Sequence, residues 1–440
     1  VSGRETAYRQ PQWNVVEAAS LTLGAHQLRV GGDYRYIIPQ RPSEGQVVNI
    51  MADSLDSLLS RNGLWMSNTP LPPDRVMARE LSLFIQDSWR LHPRLTVTYG
   101  ARWEWGPPPV TTAALGEAQS LQTLPSDTSF WRARLSNISP RAGLAWRVNR
   151  NTVLRVGGGL YFDSSLAVTS DLLNVWAQQY SLWQVASPSP EVSGPARSFV
   201  SYGFAPDLSL PRIWQWNVGL ERAWTGADVV SLTYAGSQGR GLLRREISGA
   251  TSNLSGQANV TNHAASDYHS LQLQWRRRMA RHVQLNAGYS WSHSIDNGSS
   301  DSVLNWISPN FTAADDRGNS DFDVRHSFNL AMRLESGEGN KWRRHWALDV
   351  SAHARTGFPI NVQFSESAMG VMFANAFRPD LVPGKPLWVA DSRAPGGMRL
   401  NRAAFAKRSG FEQGSLGRNA IAGSMTIVRI LLGLVSDWTR

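Results

Sequence analysis

From Arg94 to Trp105 the chain alternates strictly between two kinds of residue. One set reads Leu95, Val97, Tyr99, Ala101, Trp103, Trp105, and the other Arg94, Thr96, Thr98, Gly100, Arg102, Glu104. Successive side chains on an extended strand point to opposite faces, so this spacing predicts a strand with one apolar and one polar side. The pattern recurs at Gln27–Tyr36, Trp214–Trp224, His269–Met279, His282–Ser292, Arg325–Leu334 and Trp346–Arg355. A helical period fits none of these segments well. The expected fold is therefore all-β.

The connections alternate too. Short reversals are expected near Gly24–Ala25, Leu91–Pro93, Asn149–Asn151, Thr225–Ala227, Ala280–Arg281 and Ser336–His345. Between them lie long stretches rich in Pro, Ser and Asn, at Pro39–Arg79, Gly106–Asn137, Asp163–Pro211, Gly236–Asp267 and His293–Asp323. These six hairpins give 12 strands. An antiparallel up-and-down transmembrane β-barrel has this rhythm, with short periplasmic turns and long extracellular loops. A soluble sandwich or propeller has no reason to alternate so regularly, and compact soluble domains seldom carry several long loops.

Aromatic residues sharpen this reading. Trp89, Trp146, Trp224 and Trp346 fall at the short-turn ends of strands. Tyr34, Tyr36, Trp103, Trp105, Trp214, Trp216, Tyr289 and Trp291 fall at the long-loop ends. All lie on the apolar faces, as two girdles at the levels of the lipid headgroups would. Asp87 and Arg277 break the alternation near short-turn ends, where a charge can snorkel or a bulge can shift the register. Ser424–Arg440 shows no clean alternation, so a partial barrel over 1–423 and a divergent non-strand tail over 424–440 are expected. The longest apolar run, Ile427–Val435, is about half the roughly 20 residues that a membrane helix needs.

Little in the sequence points to catalysis. No zinc-binding His-Glu pair, phosphate-binding loop or nucleophile elbow is found, so no catalytic, cofactor-binding or metal-ligating residue is assigned and no enzyme is expected. "GSQGRG" (236–241) follows a strand into a loop, where turn geometry explains its glycines better than nucleotide binding does. Asp315, Asp316, Asp321 and Asp323 are candidate Ca²⁺ ligands by chemistry. Their spacing misses the EF-hand pattern, and Arg317 and Arg325 can pair with them, which favours a structural loop. The formal charge is +10, but the basic runs Arg276–Arg278 and Lys341–His345 lack aromatics on the same face, so no nucleic-acid partner is expected. There is no cysteine, hence no disulfide framework. The chain starts at Val1 without a basic and then apolar leader, as a processed chain or a fragment would.

Six segments together resemble the Oar-like family of TonB-dependent receptors. They are "FIQDSWRLHPRLTVTYGARWEW" (84–105), "SPRAGLAWRVNRNTVLRVGGGLYFD" (139–163), "QWNVGLERAWTGADVVSLTYAGSQGRGLL" (215–243), "YHSLQLQWRRRMARHVQLNAGYSWSHSID" (268–296), "DDRGNSDFDVRHSFNL" (315–330) and "LGRNAIAG" (416–423). The resemblance implies a receptor in the outer membrane of a Gram-negative bacterium. It also implies a many-stranded barrel holding a plug, with uptake driven by the TonB complex. It would put 22 strands in a complete barrel, so this chain corresponds to a barrel cut short at both ends, without plug or TonB-contacting segment. The expected function is binding and uptake of an unidentified extracellular substrate, with outer-membrane lipid as a partner. The TonB complex joins as a partner where a plug and TonB box lie upstream. The alternatives are a surface adhesion or interaction protein without energised transport, and a soluble secreted β-protein such as a secreted enzyme.

Val97 and Thr98 test the assignment of faces. Arg on a lipid face near midplane costs about 2–4 kcal/mol, whereas a lumen Arg is largely solvated. Val97→Arg is expected to impair detergent-resistant folding far more than Thr98→Arg. Equal damage from both would show the register of this strand to be wrong.

Overall fold

The computed structural model describes residues 2–5, 9–41, 45–52, 54–60, 64–71, 74–111, 133–163, 182–185, 200–205, 207–248, 256–280, 282–299, 304–306, 311–336, 346–364, 377–408, 412–423 and 426–436. Its frame is a meander of long strands. These are β1 (Gln12–Leu23), β2 (His26–Ile37), β3 (Asp74–His92), β4 (Leu95–Trp105), β5 (Ile138–Asn149), β6 (Thr152–Phe162) and β7 (Arg212–Ala223). They continue as β8 (Asp228–Ser248), β9 (Gly256–Ala280), β10 (Val283–Asp296), β11 (His326–Glu335), β12 (Trp346–Thr356) and β13 (Thr426–Ser436).

Each strand pairs antiparallel with the next in sequence, from β1 through to β13. The ladder satisfies the backbone of every inner strand, the condition that hydrocarbon imposes on a spanning segment. The edges β1 and β13 are not bonded to each other, so the barrel is not closed. The reversals fall where alternation places them, and Gly24 takes a φ of +60° in the turn between β1 and β2. The Ser336–His345 turn lies outside the described residues after Ser336. Most of Gly106–Asn137 and Asp163–Pro211 does so as well.

Register puts the apolar residues on one face. Leu81 stands opposite Trp105, Leu83 opposite Trp103 and Ile85 opposite Ala101. Leu154 stands between Trp146 and Leu220, and Leu273 between Leu232 and Tyr289. On this face Trp146, Trp214, Trp224, Leu220, Leu273 and Tyr289 are exposed. Gln86, Thr98, Asn217 and Tyr268, which border a cavity, belong to the other face. The sheet therefore has an apolar outer face and a polar inner one.

Both breaks in the alternation turn out to be cross-strand pairs in unshifted register. Asp87 stands opposite Tyr99 and Leu28. It accepts a 2.9 Å bond from the Tyr99 hydroxyl and lies 2.6 Å from His26 Nδ1, whose ring stacks on Trp89. Arg277 stands opposite Asp228 and donates to it at 2.9 Å, while Trp275 Nε1 donates to the same carboxylate at 3.1 Å. No bulge is needed: each charge on the apolar face finds its partner on the neighbouring strand.

Three expectations require correction. Gly236–Asp267 is not a loop, because β8 and β9 run on through most of it as a long hairpin. Consequently "GSQGRG" is strand rather than turn. Only its last residue, Gly241 with φ +63°, leaves extended geometry, where the register slips between Arg240 and Arg244. Pro39–Arg79 contains a hairpin of Gly45–Ala52 and Leu64–Leu71 around a short helix, Leu55–Ser60. The segment after Gly423 is also no structureless tail: β13 pairs with β12 from Thr426 to Ser436. Its alternation was illegible because Ile430, Leu431, Leu432 and Leu434 are apolar on both faces, and as an edge strand it leaves all four exposed.

Candidate functional site

Two features of the inner face and its outer rim hold polar chemistry. The first is the wall formed by β2 to β9. One register row crosses it: Arg29, Gln86, Gly100, Arg141, Gly159, Gln215, Ser237 and Tyr268 stand opposite one another in turn. This row borders a cavity of about 710 Å³. A second cavity of about 350 Å³ lies nearer the long loops, bordered by Asp33, Glu80, Arg102, Glu104 and Arg141. Strand pleating explains the arrangement, since only every second residue of each strand reaches this face.

The acids beside this wall are engaged. Asp33 lies 3.1 Å from Arg35 and 3.7 Å from Arg102, and Glu104 lies 3.4 Å from Arg102. Arg102 also donates to Ser82. Arg141 instead lays its guanidinium 4.2 Å from the centre of the Tyr161 ring, and Arg29 lies 5.8 Å from that of Phe84. Such cation–π stacking holds a guanidinium without neutralising it.

The second feature is a buried ionic cluster where the outer ends of β8 and β10 meet two long connections. Thr312 and Asp315 close a capping box around the turn Ala313–Asp316. Asp315 accepts from the Thr312 backbone N–H at 2.7 Å and from its hydroxyl at 2.9 Å, and these bonds hold its carboxyl below the usual range. That turn delivers Asp316 to Arg244, which donates to it, and to Arg378, 3.2 Å away. All three side chains are buried. Burial pushes the Asp316 carboxyl up, against the pull of Arg244, Arg378 and Arg418, and burial likewise lowers the Arg378 guanidinium. Arg244 Nε also lies 3.2 Å from Glu246, whose other oxygen is 2.9 Å from His263.

Arg418 arrives from the last long connection. It donates to Asp296 at 2.6 Å, to Asp321 at 3.2 Å and to Ser299. Beside it, Asn319 and Asn419 exchange side-chain-to-carbonyl bonds of 3.0 and 2.7 Å. Asn419 adopts a left-handed φ of +53°, which asparagine tolerates better than most residues. Two motifs legible in the sequence, 315–330 and 416–423, thus interlock across about a hundred positions. Nothing local shows that they meet. Arg244 and Arg378 carried no sequence signal, since isolated charges in stretches read as long connections look solvated, and Asp296 showed only as the last residue of a motif.

The four acids of the Asp315–Asp323 stretch go to separate partners. Asp315 caps its turn, Asp316 meets Arg244 and Arg378, and Asp321 meets Arg418 and Asn419. Asp323 accepts from the Ser294 backbone at 2.7 Å and from Arg325 at 2.7 Å. Arg317 does not pair within this stretch but reaches Asp267 at 2.5 Å. Among the described residues no three acids or histidines converge as a metal site would require. Of the basic runs, Arg276 pairs with Glu221 on the inner face and Arg277 with Asp228 on the outer one; Lys341–His345 lies outside the described residues.

An antiparallel meander with an apolar, aromatic-girdled outer face, a polar inner wall and folded connections at one end defines a β-barrel of the outer membrane. The chain belongs to the outer membrane beta barrel domain family, whose model matches residues 2–427. No curated protein sequence matches it. Among solved structures it is similar to the outer membrane transporter YddB from Escherichia coli, at 13% identity and TM-score 0.45, over 82% of this chain and 44% of that one. It is similar to the ferripyoverdine receptor of the outer membrane of Pseudomonas aeruginosa, at 10% identity and TM-score 0.48, over 83% and 40%. For FauA, the alcaligin outer membrane receptor from Bordetella pertussis, the values are 12% and 0.37, over 79% and 60%. The aligned part thus spans 40% to 60% of these receptors' length. The protein resides in the Gram-negative outer membrane.

Removing one partner of a buried ion pair costs about 3–5 kcal/mol. Arg418→Ala is therefore expected to undock residues 412–423, read as faster amide exchange there with β10 to β12 unchanged. Uniform protection across both regions would show that the cluster does not hold the loops. A pH dependence follows from Asp380, which Arg408 and the Ser415 N–H hold well below the ordinary carboxylate range. A lowered carboxyl stabilises the fold above its unfolded value and ceases to do so as pH falls through the folded one. Contacts of Asp380 should survive at pH 5 and weaken only below about pH 4, followed by the Arg408 side-chain NMR signals. Loss already at pH 5 to 6 would contradict this.

Proposed function

We propose that this chain is the barrel portion of an Oar-like TonB-dependent receptor, which binds a substrate from outside and admits it through the lumen. The observation that carries this reading is the polar inner wall. A protein that only displayed loops would need no row of Arg, Gln, Ser and Tyr side chains across eight strands bordering a cavity of about 710 Å³. The six ordered sequence motifs support the Oar-like reading, and the buried cluster fits loops that must hold one shape at the cell surface. A lumen of this kind is passive, so import against a gradient requires energy from the TonB complex through a plug. The alternative, a surface interaction protein without energised transport, draws support from the outer connections, which are elaborately folded.

The test uses cells that carry the complete reading frame. Site-specific photo-crosslinking is expected to join its product to TonB, and the adduct should disappear when the TonB box is deleted. A complete frame encoding no plug, whose product never crosslinks, would leave the surface-interaction reading.

A further inference from the structure

The inner wall holds one arginine in an uncommon setting. Arg141 on β5 stands directly opposite Gly100 on β4 and Gly159 on β6. Two positions along the same face, Gly143 stands opposite Gly157. Four glycines therefore flank this cation on the inner face.

Two of these glycines are required by the wall itself. A Cβ on Gly100 would lie 2.4 Å from the Ile85 carbonyl, and one on Gly159 would lie 2.7 Å from Arg141 Cγ. The second contact shows how the arginine is held: its stem crosses Gly159 and its guanidinium reaches Tyr161, at 4.2 Å from the ring centre. The other two glycines are not required. A Cβ on Gly143 or Gly157 would meet nothing closer than 3.5 Å, an ordinary contact distance. Their bareness keeps the space beside Arg141 open, and that space belongs to the cavity of about 710 Å³.

The charge balance points the same way. Asp33 and Glu104, two of the acids that border the smaller cavity together with this arginine, are both engaged by Arg102. Among the described residues Arg141 makes no ion pair within 4 Å with either acid and acts on Glu104 only at longer range, while its guanidinium sits over Tyr161. Along the same register row, Gln215 and Ser237 supply neutral donors and acceptors, and Arg29 supplies a second stacked cation at the far end. Arg29 and Arg141 are three strand spacings apart, on the order of 14 Å. A guanidinium seated over a ring spends none of its N–H donors on an ion pair, and its fork matches a carboxylate or phosphate in bidentate fashion.

We infer that Arg141 is the anchor of a lumen site for a small solute bearing carboxylate or phosphate groups. The Gly143–Gly157 floor admits the body of the solute, and Gln215 and Ser237 bond its polar atoms. This deepens the uptake reading by naming a substrate class, and it rests on that reading for its biological sense. Its test does not depend on it, because binding to the wall needs neither TonB nor an energised membrane.

The full chain is folded in detergent, and calorimetric titration is run with citrate, inorganic pyrophosphate and neutral maltotriose. Folding of every variant is checked by the shift of the unheated band on a gel. Citrate or pyrophosphate is expected to bind, and maltotriose not to. Arg141→Gln should weaken the anion at least tenfold. Arg141→Lys, which keeps the charge but loses the fork, should fall between. Gly157→Val should weaken binding by filling the floor. Arg155→Gln, a lumen-side cation away from the row, should leave binding unchanged. Equal loss from Arg155→Gln and Arg141→Gln would reduce the effect to the net charge of +10 and overturn the site. Binding by polyglutamate but by neither small anion would assign Arg141 to a polypeptide partner and overturn it as well. Failure of both anions and polyglutamate with a folded chain overturns the site yet leaves uptake of a neutral substrate standing. Anion binding without TonB crosslinking would retain the site and remove the uptake reading.

Discussion

A strand that crosses hydrocarbon must satisfy its backbone N–H and C=O groups on neighbouring strands, because lipid offers no hydrogen bond in exchange. The rest of this structure depends on that condition. It aligns β1 to β13 in one antiparallel ladder, and the ladder sends alternate side chains outward to lipid and inward to the lumen. The two edges are where the condition is unmet. Since β1 and β13 run in the same direction, they are not antiparallel partners for each other. They are also the strands whose side chains are most uniformly exposed among the described residues.

The same low polarity explains how charges are tolerated. On the outer face, Asp87 and Asp228 each collect a cross-strand partner and an aromatic donor, Tyr99 for one and Trp275 for the other. Near the short turns this keeps charge off the lipid at little cost. At the opposite end the chain does something different. Arg244, Arg378 and Arg418 are carried into a buried cluster with Asp316, Glu246 and Asp296, away from lipid altogether. There the ion pairs pack beside buried apolar side chains of the same connections, among them Phe311, Phe377, Leu416 and Ile421. Buried pairs seldom add much net stability over apolar packing, but an unpaired partner is costly, so such a cluster enforces one loop arrangement.

The inner wall lies between these two regimes. It carries both paired arginines, such as Arg102, and arginines that sit over the rings of Tyr161 and Phe84. They can bind a solute without the wall having to rearrange.

The sequence by itself determined the strands, their faces and the hairpin turns, because a period of two is local and survives in any context. Leu95 to Trp105 could be assigned inward and outward residue by residue, and the structure keeps that assignment. It also determined the girdles, since aromatic rings collect where strands meet the headgroups. Where local pattern was weak, the reading failed: β13 is apolar on both faces, and the outer parts of β8 and β9 are too polar and glycine-rich to look like strand. The polar site was less legible still. The two interlocking motifs were visible as strings, but their meeting through Asn319 and Asn419 was not. Neither was the row from Arg29 to Tyr268, whose members come from strands spread over some 240 positions. Only the tertiary structure decided these, because cross-strand register and loop docking join residues by hydrogen bonds and charge across the ladder, and no spacing along the chain encodes which distant charges will share one dry pocket.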